Sequence, residues 1–390
     1  MTFLLVVIYI VFISLGLPDS LFGVAWPVVH NDFGINENFA SFYSIITGVC
    51  TGGVSFIAGK LIRKFGTALV TFVSTLLTAT GLICMSFAPN IVVMMIGTVI
   101  LGYGAGVIDT GLNNFVSLHY EARHMNWLHA FWGVGVTVSP LIMSVFLTGE
   151  SGSWRNGYRV IALLQLAIAG IIVIALKKWR SVEKNTEITE ETETASDKTF
   201  FQLLKIKGVI TSILSQGLYC SMEFLIGTWG ASYLVNVYAL APDKAAKWVS
   251  LYFGGIMIGR IISGFISIKA SDNAMIRGGI AVSFLGMLLL VLPLGEASFF
   301  GLLLIGIGFG PIFPSVLHSV PDRFGSKYSA DITGFHMGGA YAIGFGVQLI
   351  FGFVATATTF TITPFVLLAL CAGLCVANEI TIHKVSKRID

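Results

Sequence analysis

The chain has 390 residues, of which 55% are hydrophobic and only 11% are charged, and its net charge is +3 at pH 7. A soluble domain carries roughly 25% charged residues because its surface faces water, so this composition excludes an ordinary soluble protein. The mean hydropathy of +0.86 supports that exclusion, and so small a net charge gives no indication of a nucleic-acid partner.

Apolar stretches recur along the whole chain, each about long enough to cross a membrane. A helix needs roughly 20 apolar residues to span a hydrocarbon core of about 30 Å. From the N terminus, the stretches fall near 3–27, 39–59, 67–87, 91–117, 126–148, 158–176, 208–238, 248–268, 277–294, 298–320, 332–356 and 360–380. The first shows no cleavage site for a signal peptidase. We therefore predict an all-α membrane protein with twelve transmembrane helices.

One long polar segment divides these spans into two groups of six. Residues 177–199 contain alternating charges and no apolar period, which is typical of a solvated linker. We predict an N-terminal six-helix bundle at 1–176, a cytoplasmic linker at 177–204 and a C-terminal six-helix bundle at 205–390.

The distribution of Lys and Arg predicts the orientation in the membrane. If both termini and the linker are cytoplasmic, all but four of the 23 basic residues lie on the cytoplasmic side; the four are Arg155, Arg159, Lys244 and Lys247. Such an excess is what the positive-inside rule requires. We expect a multi-pass protein of the cell inner (plasma) membrane, surrounded by lipid.

The two halves of the chain repeat each other. The segment LGYGAG at 101–106 matches IGIGFG at 305–310, and at the same offset Asp19 falls on Glu223 and Gly23 on Gly227. Both glycine runs lie inside apolar spans, where small residues allow helices to pack closely, so we interpret them as packing motifs and not as nucleotide loops. The repeat predicts two pseudo-symmetric bundles, an architecture known from transporters with a site near the midplane.

These features resemble the major facilitator superfamily over the whole chain apart from the linker. Residues 59–66, GKLIRKFG, are similar to the G-x-L-x-D-R-x-G loop of that family, with Arg63 in place of the usual Asp. The resemblance implies the major facilitator fold and transport by alternating access.

Within the superfamily, three segments resemble the fucose permease group of sugar transporters: GLPD at 16–19, DTGLNN at 109–114 and LHAFWGVG at 128–135. That group includes proton-coupled and sodium-coupled carriers. In its fucose permeases, acidic residues of the first and fourth helices are implicated in function, which the resemblance carries over to Asp19 and Asp109. Glu223, with the Trp and Gly at 229–230, is more similar to the glucose-transporting relatives.

Three carboxyl groups lie deep in predicted spans: Asp19, Asp109 and Glu223. A charge at the bilayer centre costs roughly 2.5–3.5 kcal/mol on insertion scales, which favours a functional role. Hydrogen bonding between helices is the structural alternative, and it fits Asp109 best because Asn113 and Asn114 follow it. Burial disfavours the charged form of a carboxyl group, so we expect proton coupling by Glu223 or Asp19, with Asp109 as the third candidate.

Aromatic and amide side chains share helical faces with these carboxyl groups. Phe22 and Trp26 follow Asp19 at the spacing of one face and would stack on a sugar ring, although Trp26 also fits an interfacial aromatic belt. Asn113 lies one turn after Asp109, which pairs a donor with an acceptor for sugar hydroxyls. Gln216 and Tyr219 precede Glu223 on its own helix.

Two histidines lie inside predicted spans, and both are candidates for proton relay or substrate binding. His129 shares a face with Trp132, and His336 lies in the eleventh span; a neutral histidine bonded to a facing helix is the alternative for each. The complete predicted substrate site comprises Asp19, Phe22, Trp26, Asp109, Asn113, His129, Trp132, Gln216, Tyr219, Glu223 and His336.

No nucleotide, hydrolase or metalloprotease motif is present in the sequence, so we predict no enzyme activity, no metal and no cofactor. We expect a secondary transporter that moves a hexose such as fucose or glucose by alternating access, with H⁺ or else Na⁺ as the coupling ion. A proton-coupled efflux antiporter for amphipathic compounds is the alternative. Since one chain contains both bundles, a monomer would suffice.

Overall fold

The computed structural model describes residues 2–119, 122–148, 153–185, 200–325 and 328–389. Within those ranges the regular elements are helices, joined by short connections that include 3-10 turns at Gly295–Phe299 and Phe360–Ile362. The helices are α1 (Thr2–Asp19), α2 (Leu21–Asp32), α3 (Phe39–Phe65), α4 (Thr67–Ser86), α5 (Ile91–His119), α6 (Ala122–Phe146), α7 (Trp154–Asn185), α8 (Phe200–Leu204), α9 (Val209–Tyr238), α10 (Pro242–Ile266), α11 (Asp272–Val291), α12 (Phe300–His318), α13 (Val320–Phe324), α14 (Ser329–Ala357) and α15 (Thr363–Ile389).

Eleven helical stretches in the described ranges are long and apolar enough to cross a membrane. The α1 and α2 helices together make the first of these, from Phe3 to Asp32, and α3 adds a shorter apolar stretch at Phe39–Val54. The prediction of an all-α membrane protein with about twelve spans is therefore confirmed. The α7 helix continues to Asn185, into the predicted linker, of which residues 186–199 lie outside the described ranges.

The first span is interrupted at one residue. Pro18 lies in the last turn of α1, and Ser20, with φ −99° and ψ −6°, separates α1 from α2. Proline lacks the N–H group that a helix interior uses, so the turn that ends at Pro18, just before the interruption, lacks one hydrogen bond of the helix. The sequence predicted a single span near residues 3–27, without locating an interruption in it.

The chain divides into two compact units. The first comprises Met1–Ile188 with Gly227–Ser250, and the second comprises Thr189–Ile226 with Leu251–Asp390. Both α9 and α10 therefore contribute to each unit. The predicted bundle boundaries at 176 and 205 were drawn from the polar segment, and they stay a prediction.

Residues 227–250 hold their place in the first unit through contacts along their length. Gly227 packs against Gly23 so closely that a Cβ atom on Gly23 would overlap the Gly227 carbonyl. Further along α9, the Asn236 amide donates to the Glu37 carboxylate at 3.1 Å. In α10, the Ser250 hydroxyl donates to the Thr137 carbonyl oxygen at 2.7 Å. The two glycines are those that the sequence repeat matches.

The repeated glycine runs pack helices closely, as predicted. In the first unit, a Cβ atom at Gly106 would overlap backbone of α3, and one at Gly104 would overlap backbone of α4. In the second unit, Gly306 lies equally close to backbone of α10, and Gly308 to that of α11. Alternate glycines of each run thus contact two different neighbouring helices, which explains why the motif recurs with its spacing intact.

We expect Gly306→Ala to lower the unfolding temperature of the detergent-solubilised protein. The added methyl group would overlap the Tyr252 carbonyl oxygen and approach the Ile256 nitrogen to 2.8 Å, and overpacking of this kind costs about 1–3 kcal/mol. Gly278→Ala is the matched control, because no atom lies within 4 Å of a Cβ at that helical position. Equal unfolding temperatures for the two variants would contradict the close-packing role.

Candidate functional site

Asp19 lies at the interruption of the first span and is exposed, although residues 14–18 and 20–27 around it are buried. The Trp132 indole N–H donates a hydrogen bond to Asp19 Oδ2 at 2.8 Å. The two residues come together because Gly16 and Gly135 let α1 and α6 approach at backbone distance. A carboxylate can accept several hydrogen bonds, so its chemistry suits a ligand that carries hydroxyl groups.

A stack of aromatic rings stands beside Asp19. The Phe22 ring lies between Tyr43, at 3.5 Å between centroids, and Trp26, at 4.8 Å. Trp26 is fully buried, and its indole N–H donates to the Glu37 carbonyl oxygen at 2.7 Å. The structure thus places Trp26 in the protein interior and not in an interfacial belt, and Phe22 is an inner layer of the stack. Tyr43, which the sequence analysis missed, interacts electrostatically with Asp19.

His129 lies on α6, one turn before Trp132, and is half-buried. Its ring meets the edge of Phe12 at 5.9 Å and 88°. Of the predicted residues on α5, the backbone of Asp109 and Asn113 is helical, but their side chains, and that of Asn114, lie outside what the structure describes. In the first unit, the structure therefore brings together Asp19, Phe22, Trp26 and Trp132.

Glu223 is half-buried on α9, in a group of tyrosines of the second unit. The hydroxyl of Tyr252, on α10, lies 3.5 Å from the Glu223 backbone oxygen. Tyr219 lies one turn before Glu223, interacts with its carboxylate, and packs edge-on against Phe309 at 5.2 Å. Tyr219 and Tyr252 are both fully buried, so two phenol groups shielded from solvent lie beside a carboxyl group that the sequence predicted to be functional.

Arg260 is a charged residue of this group that the sequence analysis missed. It lies half-buried inside the span of α10, and both Arg260 and Glu223 act electrostatically on Tyr219 and Tyr252. At 1.5 Å per residue, Glu223 lies about 22 Å before the end of α9 and Arg260 about 27 Å after the start of α10. The two opposite charges are thus at similar depth. The sequence analysis counted Arg260 with the cytoplasmic residues, although a lone charge in an apolar stretch was the available signal.

Gln216 and His336 are both fully buried, and their side-chain nitrogen and oxygen atoms have no hydrogen-bond partner among the described residues. Gln216 lies two turns from Glu223 on α9. A Cβ on Gly339 would contact Ile213 and one on Gly217 would contact Ile343, so α14 runs beside α9 with His336 about 20 Å from the level of Glu223. The structure does not bring His336 together with Glu223.

Comparison with known proteins identifies a family over most of the chain. Residues 8–349 match the Major Facilitator Superfamily. A glucose/galactose transporter of Brucella abortus is 22% identical over 351 residues, which cover 84% of this chain and 82% of that protein. The glucose/mannose transporter GlcP of Bacillus subtilis is 25% identical over 344 residues, with coverage of 83% and 80%. Bypass of stop codon protein 6 of Saccharomyces cerevisiae is 24% identical over 339 residues, with coverage of 78% and 67%.

Solved structures share the fold. The outward conformation of FucP, a transporter of the same superfamily, matches with a TM-score of 0.65 at 15% identity, covering 97% of this chain and 98% of that one. The nucleoside transporter NupG matches with a TM-score of 0.76 at 13% identity and the same coverage. At these identities the similarity concerns the architecture alone.

Proposed function

Because this chain belongs to the major facilitator superfamily, a family of membrane transporters and not of enzymes, we propose that it carries a hexose or a similarly hydroxylated solute across the membrane together with a proton. The observation that carries the proposal is Asp19, an exposed carboxylate at a break in the first span whose side chain is fixed by Trp132 at 2.8 Å.

The chemistry around Asp19 suits a sugar. Sugar hydroxyl groups donate to carboxylate oxygens, while their C–H faces pack on aromatic rings such as Trp132. A pocket for an amphipathic compound is usually lined mostly by apolar groups with few polar ones, which favours uptake of a polar solute over efflux. The names of the Brucella abortus and Bacillus subtilis relatives, both hexose transporters, support the same substrate class.

Energy for accumulation would come from a proton gradient. Glu223 and Asp19 are carboxyl groups in membrane-spanning helices, where such residues commonly serve as proton relays. Glu223 also shares its surroundings with Arg260 and two buried tyrosines, an arrangement in which gain or loss of one proton changes the local charge balance. Two six-helix bundles would alternate in exposing the substrate to each side.

The basic residues support an inner (plasma) membrane location with both termini in the cytoplasm. Dense basic clusters lie at 177–184 in the linker, at 205–207 directly after it and at 384–388 in the last helix, all on one predicted side. A single chain contains both halves of the repeat, so we propose that a monomer is the working unit.

We expect an external alkaline shift when the right sugar is added to de-energised vesicles that contain this protein. Symport draws one or more protons inward with each sugar molecule, so the weakly buffered outer medium loses protons. L-fucose, D-glucose, D-galactose and D-mannose would be added one at a time while the outside pH is recorded. Vesicles without the protein are the control.

A shift with one sugar that an uncoupler collapses supports proton symport and identifies the substrate. Uptake of labelled sugar without any pH change, but dependent on added Na⁺, would replace the proton by sodium. Absence of both signals for every sugar would contradict the proposal and favour an efflux antiporter.

A further inference from the structure

Two prolines in neighbouring helices leave carbonyl groups without their usual donors close to Asp19. In an α-helix each carbonyl accepts from the N–H four residues later. For Ser14 that residue is Pro18, and for Val136 it is Pro140, both inside helices. Proline has no N–H group, so the Ser14 and Val136 oxygens must find donors elsewhere or remain costly in an apolar interior.

Side chains from other helices supply both donors. Gln165 of α7 donates from Nε2 to the Ser14 carbonyl oxygen at 2.6 Å, and its Oε1 accepts from the Ser14 hydroxyl. Ser20, at the interruption between α1 and α2, donates from Oγ to the Val136 carbonyl oxygen at 2.8 Å. Gln165 and Ser20 are both fully buried, so water does not compete for these bonds.

The two hydrogen bonds flank Asp19 on either side along the chain. Gln165 ties the last full turn before Asp19 to α7, and Ser20 ties the residue after Asp19 to α6. The α6 helix also carries Trp132, whose indole donates to Asp19 itself at 2.8 Å. Three helices therefore meet at a break that leaves Asp19 exposed among buried neighbours.

We propose that Gln165 and Ser20 are positioning residues, which donate to the two carbonyl groups that the prolines leave without donors and thereby hold the Asp19 carboxylate where substrate reaches it. The part that concerns substrate rests on the proposed transport function, whereas the hydrogen-bond arrangement does not. The two prolines and their distant donors act as matched pairs: Pro18 with Gln165, and Pro140 with Ser20.

The test combines Gln165→Met with Pro18→Ala. Methionine keeps the length of glutamine but donates nothing, so Gln165→Met should unfold at a lower temperature than the wild-type protein. Alanine at position 18 restores the missing N–H, so the double variant should unfold at close to the wild-type temperature. Its KM for the sugar should nevertheless remain raised by about tenfold or more, because a small misplacement of a binding group is costly and the Gln165 bond that ties the turn before Asp19 to α7 is still absent.

A second readout does not depend on transport. A hydrophobic carbodiimide modifies accessible carboxyl groups in membranes, and mass spectrometry measures the modified fraction of Asp19. We expect strong modification in the wild-type protein and much less in Gln165→Met, with or without Pro18→Ala, because Asp19 is then no longer held in its accessible position. If the wild-type protein moves no sugar, the proposed function fails, while the unfolding temperatures and the labelling still decide the positioning role.

Gln348→Met is the matched control. Gln348 also donates from Nε2 to a helix carbonyl oxygen, that of Phe224 at 2.9 Å, but in the second unit and with no proline four residues later. The Gln348→Met variant should unfold at a lower temperature than the wild-type protein, and Pro18→Ala should not restore that temperature. Its KM for the sugar should stay unchanged. The proposal is overturned if Pro18→Ala fails to rescue Gln165→Met, or if KM and Asp19 labelling return to wild-type values together with stability.

Discussion

Asp19→Asn is expected to weaken sugar binding by about 10- to 100-fold and to abolish accumulation. A hydrogen bond to a charged group contributes about 1.5–3 kcal/mol, and each 1.4 kcal/mol corresponds to tenfold in affinity. Asparagine keeps the size of the side chain and can still accept from Trp132 through its oxygen, so the packing of α1 on α6 is retained. Equilibrium binding of the labelled sugar to purified protein measures the loss.

Trp132→Phe provides the control for this prediction. Phenylalanine keeps an aromatic ring at the site but removes the indole N–H that donates to Asp19. We expect a smaller loss of affinity than for Asp19→Asn, since the carboxylate itself remains. If Asp19→Asn bound the sugar as tightly as the wild-type protein does, Asp19 would not contact the substrate.

Glu223→Gln is expected to abolish accumulation but to leave exchange of labelled for unlabelled sugar intact. The amide resembles a protonated carboxyl group in shape and hydrogen bonding, but it cannot release a proton. A symporter fixed in this state can still alternate with sugar bound, although it cannot use the gradient. Uptake under an imposed pH gradient and counterflow in its absence separate the two activities. Accumulation at the wild-type level would contradict a coupling role for Glu223.

Arg260→Gln and the double variant with Glu223→Gln test whether the two charges act as a pair. Removal of Arg260 leaves the Glu223 carboxylate without compensation, whereas removal of both charges is far better tolerated. Removal of Glu223 alone costs less, because a long arginine side chain can extend towards water. We expect Arg260→Gln to reduce the yield of folded protein and Glu223→Gln to restore much of it. Purely additive effects on the unfolding temperature would indicate that the two sites are independent.

The overall architecture could be predicted because it follows from the solvent. The length of each apolar stretch is fixed by the thickness of the membrane. The glycine runs at 101–106 and 305–310 are similar enough in sequence to reveal the repeat directly. The same runs contact two neighbouring helices each, so a local pattern was sufficient to identify packing surfaces in both halves.

The break of the first span could not be predicted in the same way. Pro18 is visible in the sequence, but many membrane helices contain proline without an interruption. The geometry around Asp19 depends on two contacts between distant residues. Ser14 bonds to Gln165, 151 residues away, and Ser20 bonds to the carbonyl of Val136, 116 residues away. A sequence without an alignment gives no sign of such distant pairs.

In the site, residues that are recognisable from their own helix were predicted, and residues whose place depends on packing between helices were missed. Asp19 and Trp132 were both predicted from the chemistry of their own helices, and the structure joins them. Tyr43 was missed because its position beside Phe22 depends on how α3 packs, and Arg260 was missed because proximity to Glu223 requires the register between α9 and α10. His336 was grouped with Glu223 although helical depth separates them.

The division of α9 at Gly227 has a consequence for fragments of this protein. A cut in the polar segment would give two polypeptides, one for each half of the sequence repeat. The compact units are divided differently, because Gly227–Ser250 belongs to the N-terminal unit. A C-terminal fragment made alone would expose Gly227, Asn236 and Ser250 without Gly23, Glu37 and Thr137. Split-protein complementation should therefore require synthesis of both fragments in the same membrane, because neither half contains all of its own folding surface.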